Sequence, residues 1–545
     1  MFKTMCVIRN KITTSCGVFV LIMSFVFSIF SCASTQEKID LSITPTHERV
    51  FYEIFVASFF DSDGNGVGDL NGVTKNLDYV SDYLGAKGIW LMPIMKSPTY
   101  HKYDVTDYYA VDKSFGTTED FRALAQACDE KDIILIIDLP LNHSSSQHSW
   151  FYQACSGVEP YASWYNFSDT FKSGYHQVSS GFTSLAESLG NKVPGKYYEG
   201  HFTSSMPDLN LDDPLLREEI LKICKYWMDL GVDGFRLDAV LWFYNSNNNL
   251  NNEFLNWLTY ELKKINPDVY MVGEGWADGS SILKLHESDL TTFFNFTFAQ
   301  STGKIISSIR SGKGEALAVD FQKWYDSLPE NSIDSLFLAN HDMPRSSGAL
   351  LGKLELQKQA ASVYLLMPGS PYVYYGEEIG MQGGSGKDEN KRTSFVWSVE
   401  NFEGTTKSPA GADDIRKISA GVVQQKKDKN SLLAFYKKVI SIRNQYPVIA
   451  TGKYNVIKTG NAEIMAYEMS ANPEYSEVSL STLDSVYIFQ NISDKTVEID
   501  LSTEELLFLQ EKSVLANLAA SGDKPSKKGS VLLMPAYSTL LLGNK

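Results

Sequence analysis

The chain has 545 residues, 43% of them hydrophobic and 12% aromatic, and a formal net charge of -16. That length admits one large domain with one or two small ones. The acidic balance argues against nucleic acid as a partner, because phosphate backbones are held by basic surfaces. The cysteines, Cys6, Cys16, Cys32, Cys128, Cys155 and Cys224, show neither metal-ligand spacing nor a dense disulfide framework.

The first segment reads as lying outside the fold. Lys3, Arg9 and Lys11 precede an apolar stretch from Gly17 to Phe30. It is short for a membrane span and suits an export signal. Ile29-Phe30-Ser31-Cys32 resembles a bacterial lipobox. Residues 1–31 are therefore expected to be a lipoprotein signal peptide, with Cys32 as the lipidated N-terminus that holds the protein to a membrane through its acyl chains. An ordinary signal peptide cut slightly later is the simpler alternative. Residues 32–47 are polar and read as a tether. The expectation is an exported protein anchored to a bacterial membrane, periplasmic or at the cell surface, and monomeric.

Strand and helix patterns then alternate. Strand candidates are Val50–Phe59, Gly88–Pro93, Ile133–Asp138, Val232–Asp238, Val269–Glu274, Leu290–Phe298, Ser335–Asn340 and Pro371–Gly376. Helical patterns cover Asn76–Lys87, Thr117–Lys131, Pro214–Leu230, Asn252–Asn266, Leu354–Met367 and Leu432–Asn444. Thr117 or Thr118 is the expected cap of the second, and Asp212 or Asp213 that of the third. Short apolar runs separated by helices predict parallel strands. Eight of them favour a closed (β/α)8 barrel over a doubly wound sheet. Residues 48–142 and 206–445 would form the barrel. Residues 143–205, rich in Ser, Gly, Tyr and Trp, read as a small irregular insertion, since a structureless loop of that length is uncommon. In residues 446–545, Ile464–Met469, Ser485–Asn491, Thr496–Leu501 and Val531–Leu541 read as strands of an antiparallel β-sandwich domain, and Lys512–Lys528 contains its polar loop.

Three acids follow strand candidates: Asp238 in GFRLDAV, Glu274 in VGEGW and Asp342 in NHDMPR. Strand ends of a barrel converge on one face, and two carboxylates across a glycosidic bond suffice for hydrolysis. Arg236 and Asp238 are two residues apart, so a strand puts them on one face, where the guanidinium keeps the carboxylate ionised. A lone strand-end acid more often caps a helix or faces solvent. A fourth cluster, Asp138-Leu-Pro-Leu-Asn142-His143, makes that reading hard to sustain for all of them.

With DLPLNH, GFRLD, the Glu of VGEGW and NHD in this order, flanked by GIWLMP, MPDLN and GSPYVYYGEE, the chain resembles the α-amylase superfamily, retaining (β/α)8 glycoside hydrolases of starch and related α-glucans. The resemblance covers roughly residues 48–545. It is nearest to exported bacterial α-amylases and the neopullulanase-like intermediate group. It implies Asp238 as nucleophile, Glu274 as acid/base and Asp342 as transition-state stabiliser. It also implies sugar contacts from His101, Tyr103, His143, Arg236 and His341, and it makes residues 143–205 and 446–545 the family's domains B and C. Trp242 would stack on a sugar or simply fill space.

Asp61, Asp63, Asn65, Val67 and Asp69 alternate through a glycine-rich loop, a spacing of oxygen donors that suits a hard cation. Gly72 stands where an EF-hand would carry Glu. The resemblance implies a structural Ca²⁺ here, with Val67 giving its carbonyl; an acidic turn without metal is the alternative. A second calcium site near Asn142 stays open. Ala239 after the nucleophile position favours α-1,4 over α-1,6 cleavage within the resembled family. Leu241-Trp242 departs from the Lys-His of typical α-amylases and leaves endo against exo action open. The leading expectation is an α-amylase. The alternatives are an α-glucosidase or maltogenic, neopullulanase-like enzyme on short maltooligosaccharides and, more remotely, a non-catalytic glucan-binding protein.

Overall fold

The computed structural model describes residues 49–384, 386–413, 418–472 and 485–544. The expected signal peptide, Cys32 anchor and tether lie outside the described residues. Among the described residues no helix is long and apolar enough to cross a membrane.

Strands β1 (Phe51–Ile54), β2 (Gly88–Leu91), β3 (Ile134–Leu139), β4 (Gly234–Leu237), β5 (Tyr270–Gly273), β6 (Thr292–Phe294), β7 (Ile333–Ser335) and β8 (Tyr372–Tyr374) form one sheet. Consecutive strands pair in parallel, and β8 pairs with β1. The ring is closed where Ser370 and Tyr372 donate their N–H groups to the carbonyls of Asp334 and Leu336, both at 2.8 Å. Every residue of these strands is buried, as strands wrapped by helices outside and packed side chains inside must be.

The helices start where short polar side chains can satisfy free N–H groups. Thr117 and Asp120 form a reciprocal capping box on Thr118–Glu130. Asp213 caps Pro214–Asp229, with the proline in the first turn, where no N–H is needed. Asn247 caps Asn248–Ile265, four residues before the expected start.

Other boundaries moved for identifiable reasons. The apolar run Val50–Phe59 carries no period, and it divides into β1 and a short helix, Val56–Phe59. In place of one helix over Asn76–Lys87, Leu70–Lys75 starts at the Asp69 cap, and a π-helical turn, Tyr79–Leu84, follows. That turn ends at Gly85, whose φ of 91° glycine adopts without steric cost. Strand β7 ends at Ser335, so the expected strand Ser335–Asn340 is mostly a buried loop.

Between β3 and β4 the insertion is more regular than its composition suggested. It holds helices Ser149–Cys155 and Ser180–Ser188 and a small antiparallel sheet of Phe167–Ser168, Tyr197–Glu199 and Tyr175–Gln177. Leu209 N–H donates to the Asn142 carbonyl at 2.9 Å and Ser144 N–H to that of Pro207 at 3.1 Å, joining its two ends.

The C-terminal part is a sandwich of a five-stranded and a three-stranded antiparallel sheet. Alternation along its strands decides what each residue touches. Ile464, Ala466, Phe489, Leu540 and Leu542 face Ile499, Leu532 and Met534 in the sandwich core. Met465, Tyr467, Ile488 and Leu541 join the hydrophobic core of the barrel. Within Lys512–Lys528 the polar loop is confined to residues 520–525, between strands Ser513–Ala519 and Ser526–Lys528 that the sequence did not mark. The first of these is an edge strand whose residues are mostly half-exposed.

Candidate active site

Parallel register places the key side chains. Asp138 on β3 lies opposite Arg236 on β4, and Arg236 lies opposite Val272 on β5. Two residues further along, Asp238 and Glu274 leave the ends of β4 and β5. Arg236, wholly buried, is the hub. Its Nη1 lies 2.9 Å from Asp138 Oδ1 and 2.5 Å from Asp238 Oδ1, and its Nη2 lies 2.9 Å from Glu274 Oε1. The guanidinium also sits over the rings of Trp90 and Tyr103, 5.1 and 5.8 Å from their centroids. One buried cation thus organises three carboxylates, which makes the cluster cohesive in a low-dielectric site.

Ala239 follows Asp238 with φ of 52°, the left-handed region. A β-branched residue is strained there, whereas alanine is tolerated better. The turn aims the Ala239 N–H at Glu274 Oε2, 3.0 Å away.

Asp342 approaches from the loop after β7. It pairs with His341 Nε2 at 3.0 Å and Arg392 Nη2 at 2.7 Å. His341 Nδ1 is 2.6 Å from Glu53 Oε1 on β1. Its Nε2 also lies 2.6 Å from the Tyr103 hydroxyl, which donates to Asp138 Oδ2 at 2.9 Å. Arg392 continues outward to Asp388 Oδ2 at 2.6 Å and the Tyr100 hydroxyl at 2.8 Å.

These surroundings set protonation. Burial raises Glu274, and Asp238 and Asp342 add to it while Arg236 opposes; the carboxyl is pushed up to about 7. Burial also raises Asp138 to about 7 against the pull of Arg236. Burial would raise Asp342 too, but His341 and Arg392 hold it well below the usual carboxylate range. Burial would lower His341, yet the carboxylates of Asp342 and Glu53 carry it up to about 9. One acid therefore keeps its proton near neutrality beside another held ionised, the divergence that acid–base chemistry uses.

These groups line a cavity of about 400 Å³. Asp238, Glu274, Asp342, His101, Tyr103, His143 and Trp242 all reach it, and Arg236 forms its floor through the carboxylates. His143 Nε2 is buried without a hydrogen-bond partner among the described residues. Trp242 has one face occupied, stacked on His201 with centroids 3.7 Å apart. The wall also includes Met206 and Trp276, from the MPDLN and VGEGW motifs, and Phe202, Asp388 and Arg392, which nothing in the sequence singles out. Trp276 is 45% exposed and stacked on Phe296. Glu53 had a visible signal, an acid inside an otherwise apolar strand. Arg392 had none, because only the fold brings it to Asp342.

Asp61, Asp63 and Asp69 converge, each offering an oxygen within 4.8 Å of the others. Asp61 accepts N–H groups from Gly64 and Gly66, both at 2.7 Å. Asp69 accepts from Ser62 and caps the helix Leu70–Lys75 through Gly72 N–H. Asn65 Oδ1 accepts from Val67 N–H at 2.7 Å. The set is all oxygen and mostly anionic, which fits a hard divalent cation. Near Asn142, by contrast, its amide donates to Asp208 Oδ1 at 3.1 Å, and no second acidic cluster able to hold a metal occurs among the described residues.

A family model described as "Alpha amylase, catalytic domain" matches residues 53–452. Alpha-amylase 3 of Dictyoglomus thermophilum is 35% identical over 503 residues, covering 90% of this chain and 92% of that protein. An oligo-1,6-glucosidase of Parageobacillus thermoglucosidasius is 28% identical, covering 84% and 94%. Among solved structures, Eubacterium rectale Amy13B aligns with a TM-score of 0.83 at 37% identity, covering 92% of this chain and 96% of that one.

Proposed function

This chain belongs to the α-amylase family of glycoside hydrolases, and from that premise we propose that it cleaves α-1,4-glucosidic bonds in starch and maltodextrins with retention of configuration. The observation that carries the reading is the Arg236 hub, which ties Asp238 and Glu274 to one guanidinium at the floor of the cavity. Carboxylates sharing one cation are held close, as double displacement requires (about 5–5.5 Å between carboxyl groups). Asp238, paired with the Arg236 guanidinium, attacks the anomeric carbon. Glu274 gives its proton to the leaving oxygen, and a covalent glycosyl–enzyme ester forms. Glu274, now a carboxylate, takes a proton from water, which attacks the same carbon and releases Asp238. Asp342, kept anionic by His341 and Arg392, supports the positive charge that develops on the sugar. His143 and His101 offer hydrogen bonds, and Tyr103 an aromatic surface, to the ring being cleaved. Trp242, with His201 on one face, offers its remaining surface to the neighbouring sugar.

A calcium ion held by Asp61, Asp63, Asn65, Asp69 and the Val67 carbonyl would bind the loop after β1 together; its role is structural, and no chemical step uses it. For residues 1–47 the reading remains an export signal and a lipid on Cys32 holding the enzyme to a bacterial membrane.

The test is product analysis on amylose, pullulan and short maltodextrins, with Glu274→Gln as control. A rapid fall in amylose viscosity with retained product configuration is expected. Slow loss of viscosity with accumulating glucose or maltose would move the assignment to the exo-acting alternative.

A further inference from the structure

Glu53 interrupts the apolar run of β1 with a carboxylate that is only 1% exposed. A charge so deeply placed is costly unless it is paired. Its partner is His341, whose Nδ1 lies 2.6 Å from Glu53 Oε1. We propose that Glu53 is a positioning residue of the reaction: it fixes the proton and the orientation of the His341 ring, and through that ring the Asp342 carboxylate. The part played by Asp342 rests on the function proposed above.

The hydrogen bonds around the ring assign its protons. The Tyr103 hydroxyl has one proton, which it donates to Asp138 Oδ2 at 2.9 Å. Its oxygen therefore accepts from His341 Nε2, 2.6 Å away. The same N–H faces Asp342 Oδ2 at 3.0 Å. At the other edge Nδ1 meets the Glu53 carboxylate, which when ionised can only accept. Both nitrogens are then donors, and the ring is an imidazolium between two carboxylates that reach it from β1 and from the loop after β7.

Packing fixes the plane of this ring but not its edges. Tyr103 stacks on it with centroids 5.5 Å apart, and Trp90, opposite Glu53 in the β1–β2 register, meets it at 77°. A half-turn of the imidazole fits the same slot but puts carbon where Nδ1 stands, and the Glu53 contact is what disfavours it. The other acids around the ring are Asp138, Glu274 and Asp342, and each is paired with Arg236 or Arg392. Glu53 is the one that forms no ion pair with an arginine among the described residues, so its charge is left for the imidazolium. Asp342 and Glu53 together carry the ring up to about 9, which keeps it charged through neutrality.

The test uses the whole chain and the isosteric Glu53→Gln, which removes the charge and keeps the shape. Histidine ring nitrogens are followed by NMR against pH, with His341→Gln to assign the signal. In the native protein His341 should keep both N–H groups to about pH 8. In Glu53→Gln the ring should turn neutral about one pH unit lower or more. On maltodextrin the variant should lose about tenfold in kcat, with KM within about twofold, because Asp342 acts on the transition state. Adding Glu53→Gln to Asp342→Asn should cost no further kcat. A mere filler of the barrel core would lower the melting temperature and leave the ring titration unmoved. A His341 ring already neutral at about pH 7 in the native protein overturns the proposal, and that measurement needs no variant to fold. Losses that multiply in the double variant, or a titration that Glu53→Gln leaves unchanged, overturn it as well while the catalytic reading stands. If the native protein cleaves no α-glucan, the proposed function fails, and Glu53 has no reaction to serve whatever the ring titration shows.

Discussion

Glu274 shows how one side chain links stability to activity. Its carboxyl is raised from 4.5 to about 7, first by burial and then by Asp238 and Asp342. The general acid works protonated, so kcat/KM should fall as pH rises through about 7. Asp342→Asn removes one neighbouring negative charge and should move that alkaline limb of the residual activity to lower pH; an unmoved limb would show that Asp342 does not act on Glu274. The same shift has a consequence independent of turnover. A folded pKa above the unfolded one contributes stability that is complete below pH 4.5 and is lost as pH rises through 7. The gap is worth at most about 3 kcal/mol. Glu274→Gln cannot ionise, so its melting temperature should hold up better than that of the native enzyme between pH 5 and 9. The control should lose at least about 100-fold in kcat. Much of this site is legible in the sequence, because Asp238 and Glu274 directly follow strands and Asp342 follows His341 in a recognisable motif. The proton distribution is not, since it depends on Glu53, which reaches His341 from another strand, and on Arg392, fifty residues beyond Asp342.

Element boundaries were legible where a polar side chain marks a cap and obscure where apolar runs carry no period. Thr117 and Asp213 announced their helices. Nothing in Val50–Phe59 announced that the strand stops at Ile54 and a helix begins at Val56. The reason lies in what packs there: a Cβ on Gly68 would stand 2.0 Å from the Val56 carbonyl oxygen, so the acidic loop presses directly on that short helix. Asp69 serves this element in two ways, as cap of Leu70–Lys75 and as one of the converging carboxylates. Asp69→Asn separates the two, because asparagine caps about as well as aspartate but brings no charge to a cation. Without added calcium the variant should melt within about 0.5 kcal/mol of the native enzyme. With millimolar calcium, the native protein should gain stability that the variant does not. Equal gains in both would remove Asp69 from the ion's ligands.

At the scale of the molecule, the C-terminal sandwich belongs to the same cooperative body as the barrel. Its larger sheet turns one face to its own small core and the other to the barrel helices. Tyr467 donates its hydroxyl to the Leu366 carbonyl at 2.9 Å, and Gln490 its amide to that of Ser362 at 3.2 Å. Lys358 on the barrel helix Leu354–Leu365 reaches the Ala520 carbonyl at 3.1 Å. Cutting the chain after the barrel would expose Tyr467's partners and an apolar helix face, so the barrel alone should aggregate. A gentler test leaves the chain whole. Leu541 is fully buried on the barrel-facing side of the sheet, and Leu541→Ala should cost about 2–5 kcal/mol through lost burial and the cavity left behind. None of that cost falls on the carboxylates, which are fixed by Arg236 and His341 at the strand ends. The variant should therefore melt in one transition at lower temperature while kcat on maltodextrin at 25 °C stays within twofold. Two separated transitions would mean that the sandwich unfolds independently and that the shared core does not couple the two parts.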